Sequence, residues 1–216
     1  MIVAIPAKII LDTLKALPSQ PVTFEVDEDS FAIKIKSANG RYKLAGENGE
    51  DFPKIPEMEG TESFKMEEWQ LLEAVGLTAF ATSNDELRPA MTGVYLLSEG
   101  KKKTFVATDA HKLSKVEVTT QQESDINESV IIPKKTLSIL KNNLNEGTVR
   151  ISMNKANVFF ELGELTIIGR LIDARYPDYN AVIPTDNPNV LRLVRGDIQG
   201  SLKRIAIYAN LSLIHI

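Results

Sequence analysis

Thr108-Asp109-Ala110-His111-Lys112-Leu113 is the most polar constellation in the middle of the chain. A carboxylate and an imidazole two residues apart can act as a general base pair or supply two ligands to a metal ion. A small hydrolase centred on Asp109 and His111 is one reading of this stretch. The other reading needs no chemistry: Thr and Asp side chains bond to nearby backbone groups, so Thr108 and Asp109 can staple a turn between two strands. Composition narrows the choice. Cysteine is absent and the second histidine is His215, so disulfides and thiolate–metal sites are excluded, and no metal or other cofactor is expected. Neither glycine-rich pattern that cradles phosphates occurs. Gly163-Glu164 reads as a turn, and Arg170 and Arg175 read as structural salt links to neighbouring acids.

A second set of charged residues recurs along the chain. Ile132-Pro133-Lys134-Lys135 and Ile5-Pro6-Ala7-Lys8 each open a run of helical periodicity, with proline where its fixed φ and missing N–H suit a first turn. Leu137, Leu140 and Leu144 mark one face of the later copy, and Ile10, Leu14 and Leu17 mark one face of the earlier. Lys134, Ser138 and Lys141 lie opposite in one copy, and Lys8, Asp12 and Lys15 in the other. Outward charges on a helix are commonly just solvated. Lys8 and Lys135, however, occupy equivalent positions, and repeated charges suit a repeating polyanion such as a duplex phosphate backbone.

The elements that carry these residues also repeat. Residues 22–26 and 149–153 alternate with period two at the same offset of about 127 residues. Each copy continues through two more strands to an aromatic residue and a proline, Phe52-Pro53 in one and Tyr176-Pro177 in the other. Residues 69–75 correspond to 199–205 at an offset of about 130. The chain therefore reads as a tandem array of one α+β domain with antiparallel sheets. Residues 1–56 are a partial copy: a strand, a helix and three strands with an Asn39-Gly40 hairpin, lacking a first helix and the strands before Pro6.

Residues 57–184 form a complete copy. Its first helix starts near Glu67, with the Glu67 and Glu68 carboxylates at the positive end of the helix dipole and Leu72, Val75, Ala79 and Thr82 on one face. An exposed loop at 83–89 follows, then strands at 93–97, 104–107, 115–118 and 130–132. A linker at 185–189 leads to one strand and one helix that open a third copy, ending at residue 210. Residues 211–216 back-translate to CTG TCT CTT ATA CAC ATC, which resembles a transposon-end sequencing adaptor and is set apart from the fold.

At 216 residues and 43% hydrophobic content the chain can build two small cores. No apolar run approaches membrane-spanning length and the N-terminus lacks a signal-peptide pattern, so a cytoplasmic protein is expected. A net charge of −4 argues against tight nucleic-acid binding through counterion release. The charges are segregated, though: acids crowd into 47–68 and 122–128, and the repeated helix starts are basic. Such a distribution suits a protein that surrounds DNA and moves along it.

Thr108-Asp109-Ala110-His111-Lys112-Leu113, taken with Arg170-Leu171-Ile172-Asp173-Ala174-Arg175-Tyr176-Pro177-Asp178-Tyr179, resembles the bacterial DNA polymerase III beta subunit family, the replicative sliding clamps. The resemblance covers residues 1–210 and implies the DNA-clamp fold, with paired helices on one face of antiparallel sheets. The expected domains are the later half of a first clamp domain at 1–56, all of a second at 57–184, and the start of a third at 185–210. It further implies a non-catalytic processivity factor, a head-to-tail homodimer that encircles double-stranded DNA without reading sequence. Lys8, Lys134 and Lys135 resemble inner-helix positions that face DNA. Arg88 falls in a loop that touches the duplex in the family, with Pro89 and Ala90 in place of aromatic residues; Lys203 and Arg204 are further candidates. Met91, Thr108, Ala110, His111, Lys112, Leu113, Pro177 and Val182 match one half of a pocket that receives a short linear motif from the polymerase catalytic subunit, the clamp loader and repair proteins. Ala110 and Lys112 stand where glycine and arginine are usual in the family.

Overall fold

Alternation builds the first part of the chain. Ile33 and Ile35 are buried on either side of an exposed Lys34, and Leu44 joins them from the neighbouring strand. The order is β1 (Val3–Ala4), α1 (Ala7–Ala16), β2 (Thr23–Val26), β3 (Ile33–Ser37), β4 (Gly40–Leu44) and β5 (Glu47–Asn48). β2, β3 and β4 form an antiparallel meander, with Ser37 opposite Gly40 across a two-residue turn, and β1 pairs with β5. Pro6 immediately precedes α1. The apolar face expected on α1 is only partly covered. Ile10 packs on the core of Ile33, Ile35 and Leu44, whereas Leu14 is exposed and the helix buries no residue.

The computed structural model describes residues 1–58, 62–124 and 126–208, which divide into a compact unit at Met1–Glu62 and a second from Ser63 onward. The expected adaptor-derived tail at 211–216 lies outside the described residues, as do the last two positions of 185–210.

The second unit contains two similar halves. β6 (Glu62–Glu67), α2 (Glu68–Thr78), β7 (Gly93–Glu99), β8 (Lys102–Thr108) and β9 (Leu113–Thr119) form the first. β10 (Asn127–Pro133), α3 (Lys134–Lys141), β11 (Thr148–Met153), β12 (Asn157–Leu162) and β13 (Leu165–Arg170) form the second. The opening strand of each half sits in the other half's sheet. β10 pairs antiparallel with β7 in the sheet β10-β7-β8-β9, and β6 lies beside β11 in the sheet β13-β12-β11-β6. α2 packs against α3, and one core takes Leu71 and Val75 from α2, Leu137 and Leu140 from α3, and Leu96, Phe105, Ile151 and Phe160 from the two sheets.

Several sequence expectations need correction. The apolar side of α2 centres on the buried Leu71, Ala74, Val75 and Thr78. Of the expected Leu72, Val75, Ala79 and Thr82, Val75 is buried in the helix, and Leu72 and Ala79 are only partly buried against the same core. Thr82, though buried, lies beyond the helix, which ends at Thr78 and tightens into a 3-10 turn over Ala79–Ala81. Glu68 does more than face its own helix dipole. It is buried, its carboxylate accepts the Asn145 N–H at 2.6 Å, and its own N–H donates to the Gly147 carbonyl at 2.9 Å, so it ties the start of α2 to the turn after α3. The expected strand after residue 189 does not form among the described residues. Residues 190–194 have no neighbouring strand to complete their backbone bonds, and they run directly into α4 (Arg195–Ala206). The structural repeat therefore places Arg195 against Glu68, an offset of about 127 and not 130. Arg170 and Arg175 are exposed and, among the described residues, in no ion pair.

One core feature was not anticipated. Lys103 in β8 is fully buried, and its ammonium donates to Ser98 Oγ (2.7 Å), Ser124 Oγ (2.7 Å) and the Gly100 carbonyl (2.6 Å). It also lies 4.4 Å from the centre of the Phe64 ring. Burial lowers its pKa, and three acceptors match its three donors.

Leu140 touches both halves through this shared core, so Leu140→Ala is expected to cost the second unit about 2–5 kcal/mol. A urea titration followed by circular dichroism should show an earlier midpoint for that unit.

Candidate binding pocket and basic helix faces

The connection from β8 to β9 is held by its own side chains. Thr108 Oγ1 donates to the Lys112 carbonyl at 2.8 Å and accepts the Ala110 N–H at 3.1 Å. The Asp109 carboxylate accepts the N–H groups of His111 (3.0 Å) and Lys112 (2.9 Å) and forms an ion pair with the Lys112 ammonium. The Lys112 side chain, followed by the two backbone donors, holds the Asp109 carboxyl well below the usual carboxylate range. Asp109 is thus engaged by the backbone and Lys112. Among the described residues no hydrogen bond joins it to the His111 ring, so the arrangement a general base pair requires is not assembled. No group of three His, Cys, Asp or Glu residues that could hold a metal occurs among the described residues. Ala110 sits at φ 76°, in the left-handed region where a Cβ is strained.

This turn is one wall of a cavity of about 340 Å³. Met91, Thr108, Ala110, His111, Lys112, Leu113, Pro177 and Val182 all line it, together with Asp178 and Tyr179. Separate pieces of chain bring them together. Met91 comes from a 3-10 turn at Pro89–Thr92, Val182 from another at Asn180–Val182, and Pro177 from the loop after β13.

That loop is fixed by backbone bonds from Leu171 N–H to the Ala156 carbonyl (2.7 Å) and from Ile172 N–H to the Ile131 carbonyl (3.0 Å). Tyr176 anchors it further by stacking on Tyr95, with centroids 4.7 Å apart, and by donating to the Val106 carbonyl at 3.3 Å. Burial pushes the Tyr176 phenol up to about 12. Pro177, Asp178 and Tyr179 also border an adjoining cleft of about 530 Å³ that includes Tyr95 and Arg175. Asp178 and Tyr179 belong to the stretch that carries the family resemblance but are not among the expected pocket residues; no periodicity marks them as wall residues. Met91, Leu113, Pro177 and Val182 give the smaller cavity apolar walls, the chemistry that accepts leucine or phenylalanine anchors of an extended peptide.

The candidate cations lie on helices and one loop. Lys8 is exposed in the first turn of α1; Lys134 and Lys135 open α3, half-buried and exposed respectively; Lys203 and Arg204 are exposed near the end of α4. Among the described residues none of these five is in an ion pair, and Arg204 donates to Ser201 Oγ at 3.0 Å. Arg88 differs. Its Nε pairs with Asp85 Oδ2 at 2.9 Å, and Asp85 also accepts the Leu87 N–H at 3.0 Å, so the loop holds its arginine internally. Those two bonds, the Leu87 N–H first, lower the Asp85 pKa.

Residues 65–178 match the family model for the DNA polymerase III beta subunit, central domain, and residues 2–56 match that for the N-terminal domain. The chain is 31% identical to a beta sliding clamp of Synechocystis sp., over 96% of the chain and 58% of that protein. Against a beta sliding clamp of Staphylococcus epidermidis the identity is 29%, covering 96% and 55%. Among solved structures, a DNA polymerase sliding clamp from Bacillus subtilis superposes with a TM-score of 0.81 at 26% identity, covering 96% of this chain and 55% of that one. A DNA polymerase III subunit beta from Pseudomonas aeruginosa gives 0.82 at 26% identity, covering 96% and 58%. The chain thus spans a little more than half the length of these relatives.

Because only Ala110 in the turn carries a Cβ at positive φ, Ala110→Gly is expected to raise stability by about 1 kcal/mol, read as a later denaturant midpoint. The depressed Asp109 pKa means its staple is fully present above the ordinary carboxylate pKa of about 3.9 and is lost only as pH falls through the lower folded value. Backbone amide exchange at His111 and Lys112, followed down the pH scale after correction for intrinsic rates, should report that loss.

Proposed function

The chain belongs to the DNA polymerase III beta subunit family, and from that membership we propose that it carries out a processivity factor's work: encircling duplex DNA as part of a ring and tethering a polymerase to it. Residues 1–56, 57–184 and 185–210 act as the later half of one clamp domain, a whole second domain and the opening of a third. The role is non-catalytic and cytoplasmic, within a head-to-tail homodimer of the longer protein. Among the described residues no helix is long and apolar enough to cross a membrane.

The observation that carries this reading is the gathering of eight residues, from Met91 to Val182, around one apolar-walled cavity. Its occupant on this reading is a short linear motif shared by the polymerase catalytic subunit, the clamp loader and repair proteins. Leucine and phenylalanine side chains of the motif bury against Met91, Leu113, Pro177 and Val182, and His111 and Lys112 border them.

DNA contact is assigned to Lys8, Lys134, Lys135, Lys203 and Arg204, with Arg88 contributing after release from Asp85. That the first five make no ion pair among the described residues supports this, since a phosphate can then reach each without first breaking one of those pairs. A ring needs only weak, freely exchanging lysine–phosphate contacts, because escape requires opening an interface while sliding does not.

Two measurements test the assignment. His111→Ala is expected to weaken binding of a leucine/phenylalanine motif peptide by about tenfold, about 1.4 kcal/mol, in fluorescence anisotropy; unchanged affinity would remove the pocket. Replacing Lys134 and Lys135 by alanine should reduce the slope of log K for duplex DNA against log salt by about 2. An unchanged slope would remove α3 from the DNA contact.

A further inference from the structure

The candidate pocket has a neighbour across one short stretch of chain. Pro177, Asp178 and Tyr179 line both the cavity of about 340 Å³ and the cleft of about 530 Å³, so their segment is a shared wall. Every residue of the cleft belongs to the second unit. Its floor is the side of β7 turned away from the core: Tyr95 and Leu97 line the cleft, while Val94 and Leu96, alternating with them, are buried beneath.

The lining is amphipathic. Tyr95 stacks on Tyr176 and lies 5.9 Å from the centre of the tilted Tyr179 ring, which makes an aromatic surface. Arg175 and Lys155 are exposed beside it and, among the described residues, make no ion pair. The carboxylates of the cleft are Asp173 and Asp178. Asp178 accepts the Asn180 N–H at 3.1 Å, so two unpaired cations face one carboxylate, Asp173, that makes no hydrogen bond or ion pair among the described residues. That local excess of cation lies in a chain of net charge −4.

Resting on the peptide reading of the pocket, we infer that the cleft receives the residues flanking the leucine and phenylalanine anchors of the same partner chain. The flank is extended and acidic. Its carboxylates meet Arg175 and Lys155, and its apolar atoms lie on Tyr95 and Leu97. Continuity identifies this occupant: three residues of extended chain span about 10 Å, so a partner anchored against Pro177 and Val182 crosses the Pro177–Tyr179 wall within a few residues. The anchors supply affinity common to all partners, and the flank sorts them, since a basic flank meets the two cations as like charge.

Fluorescence anisotropy tests this with the motif peptide alone and the motif extended at one end or the other by a short run of glutamates or of lysines. One glutamate extension is expected to bind about fivefold tighter than the motif alone, with the gain shrinking as salt is raised. Arg175→Glu with Lys155→Glu, both at exposed positions, should abolish that gain, leave the affinity of the motif alone unchanged, and transfer the gain to the lysine extension at the same end. His111→Ala should weaken every peptide alike, which separates failure of the pocket from failure of the cleft. No gain from either glutamate extension, a gain that survives the double charge reversal, or a double variant that weakens the motif alone as much as its extended form would overturn the inference. Absence of binding by the motif alone would overturn the pocket and the inference together.

Discussion

The exchange of first strands between halves governs the second unit. β10 leads into α3 yet belongs to the sheet of β7, and β6 leads into α2 yet borders β11. Neither half can close its sheet without the other, because an edge strand left open exposes a row of unpaired backbone groups. The helices follow from this. With the strands crossed, α2 and α3 are drawn side by side, and their apolar residues meet in one core instead of two. The Glu68 bridge to Asn145 and Gly147 fastens the same junction with charge and backbone bonds.

Placement of the pocket is a second consequence of that architecture. Its walls come from the β8–β9 turn and from the segment after β13, the far ends of the two halves. Tyr176, stacked on Tyr95 of β7, spans that gap. Residue types that in isolation suggest catalysis serve shape here. Asp109 gives its carboxylate to the turn that displays His111, and the turn stays rigid because every acceptor of Thr108 and Asp109 is directed at neighbouring backbone or at Lys112.

Much of this was legible in the residues, for identifiable reasons. Prolines before α1 and α3, with apolar spacing behind them, located both helices, and Asn39-Gly40 and Gly163-Glu164 located hairpins because such turns depend on local chemistry. α2 misled because it is apolar around much of its circumference: Trp69 and Leu77 are exposed while Leu71 and Val75 are buried, so periodicity could not choose a face. β6 and the strand expected at 190–194 went opposite ways for one reason. Strands exist through partners distant in sequence, and β6 has one in β11. The pocket residues were nameable through family resemblance; that Asp178 and Tyr179 join them depends on the path of the loop, which no spacing rule encodes.

Lys103 has one more implication. Amine-directed acylating reagents attack free, solvated amino groups, and this one is enclosed by Ser98, Ser124, the Gly100 carbonyl and the Phe64 ring while the chain's other lysines remain at least partly accessible. Its labelling is therefore gated by local opening of the β7–β8 hairpin, which makes this amine a built-in chemical clock for breathing of the second unit.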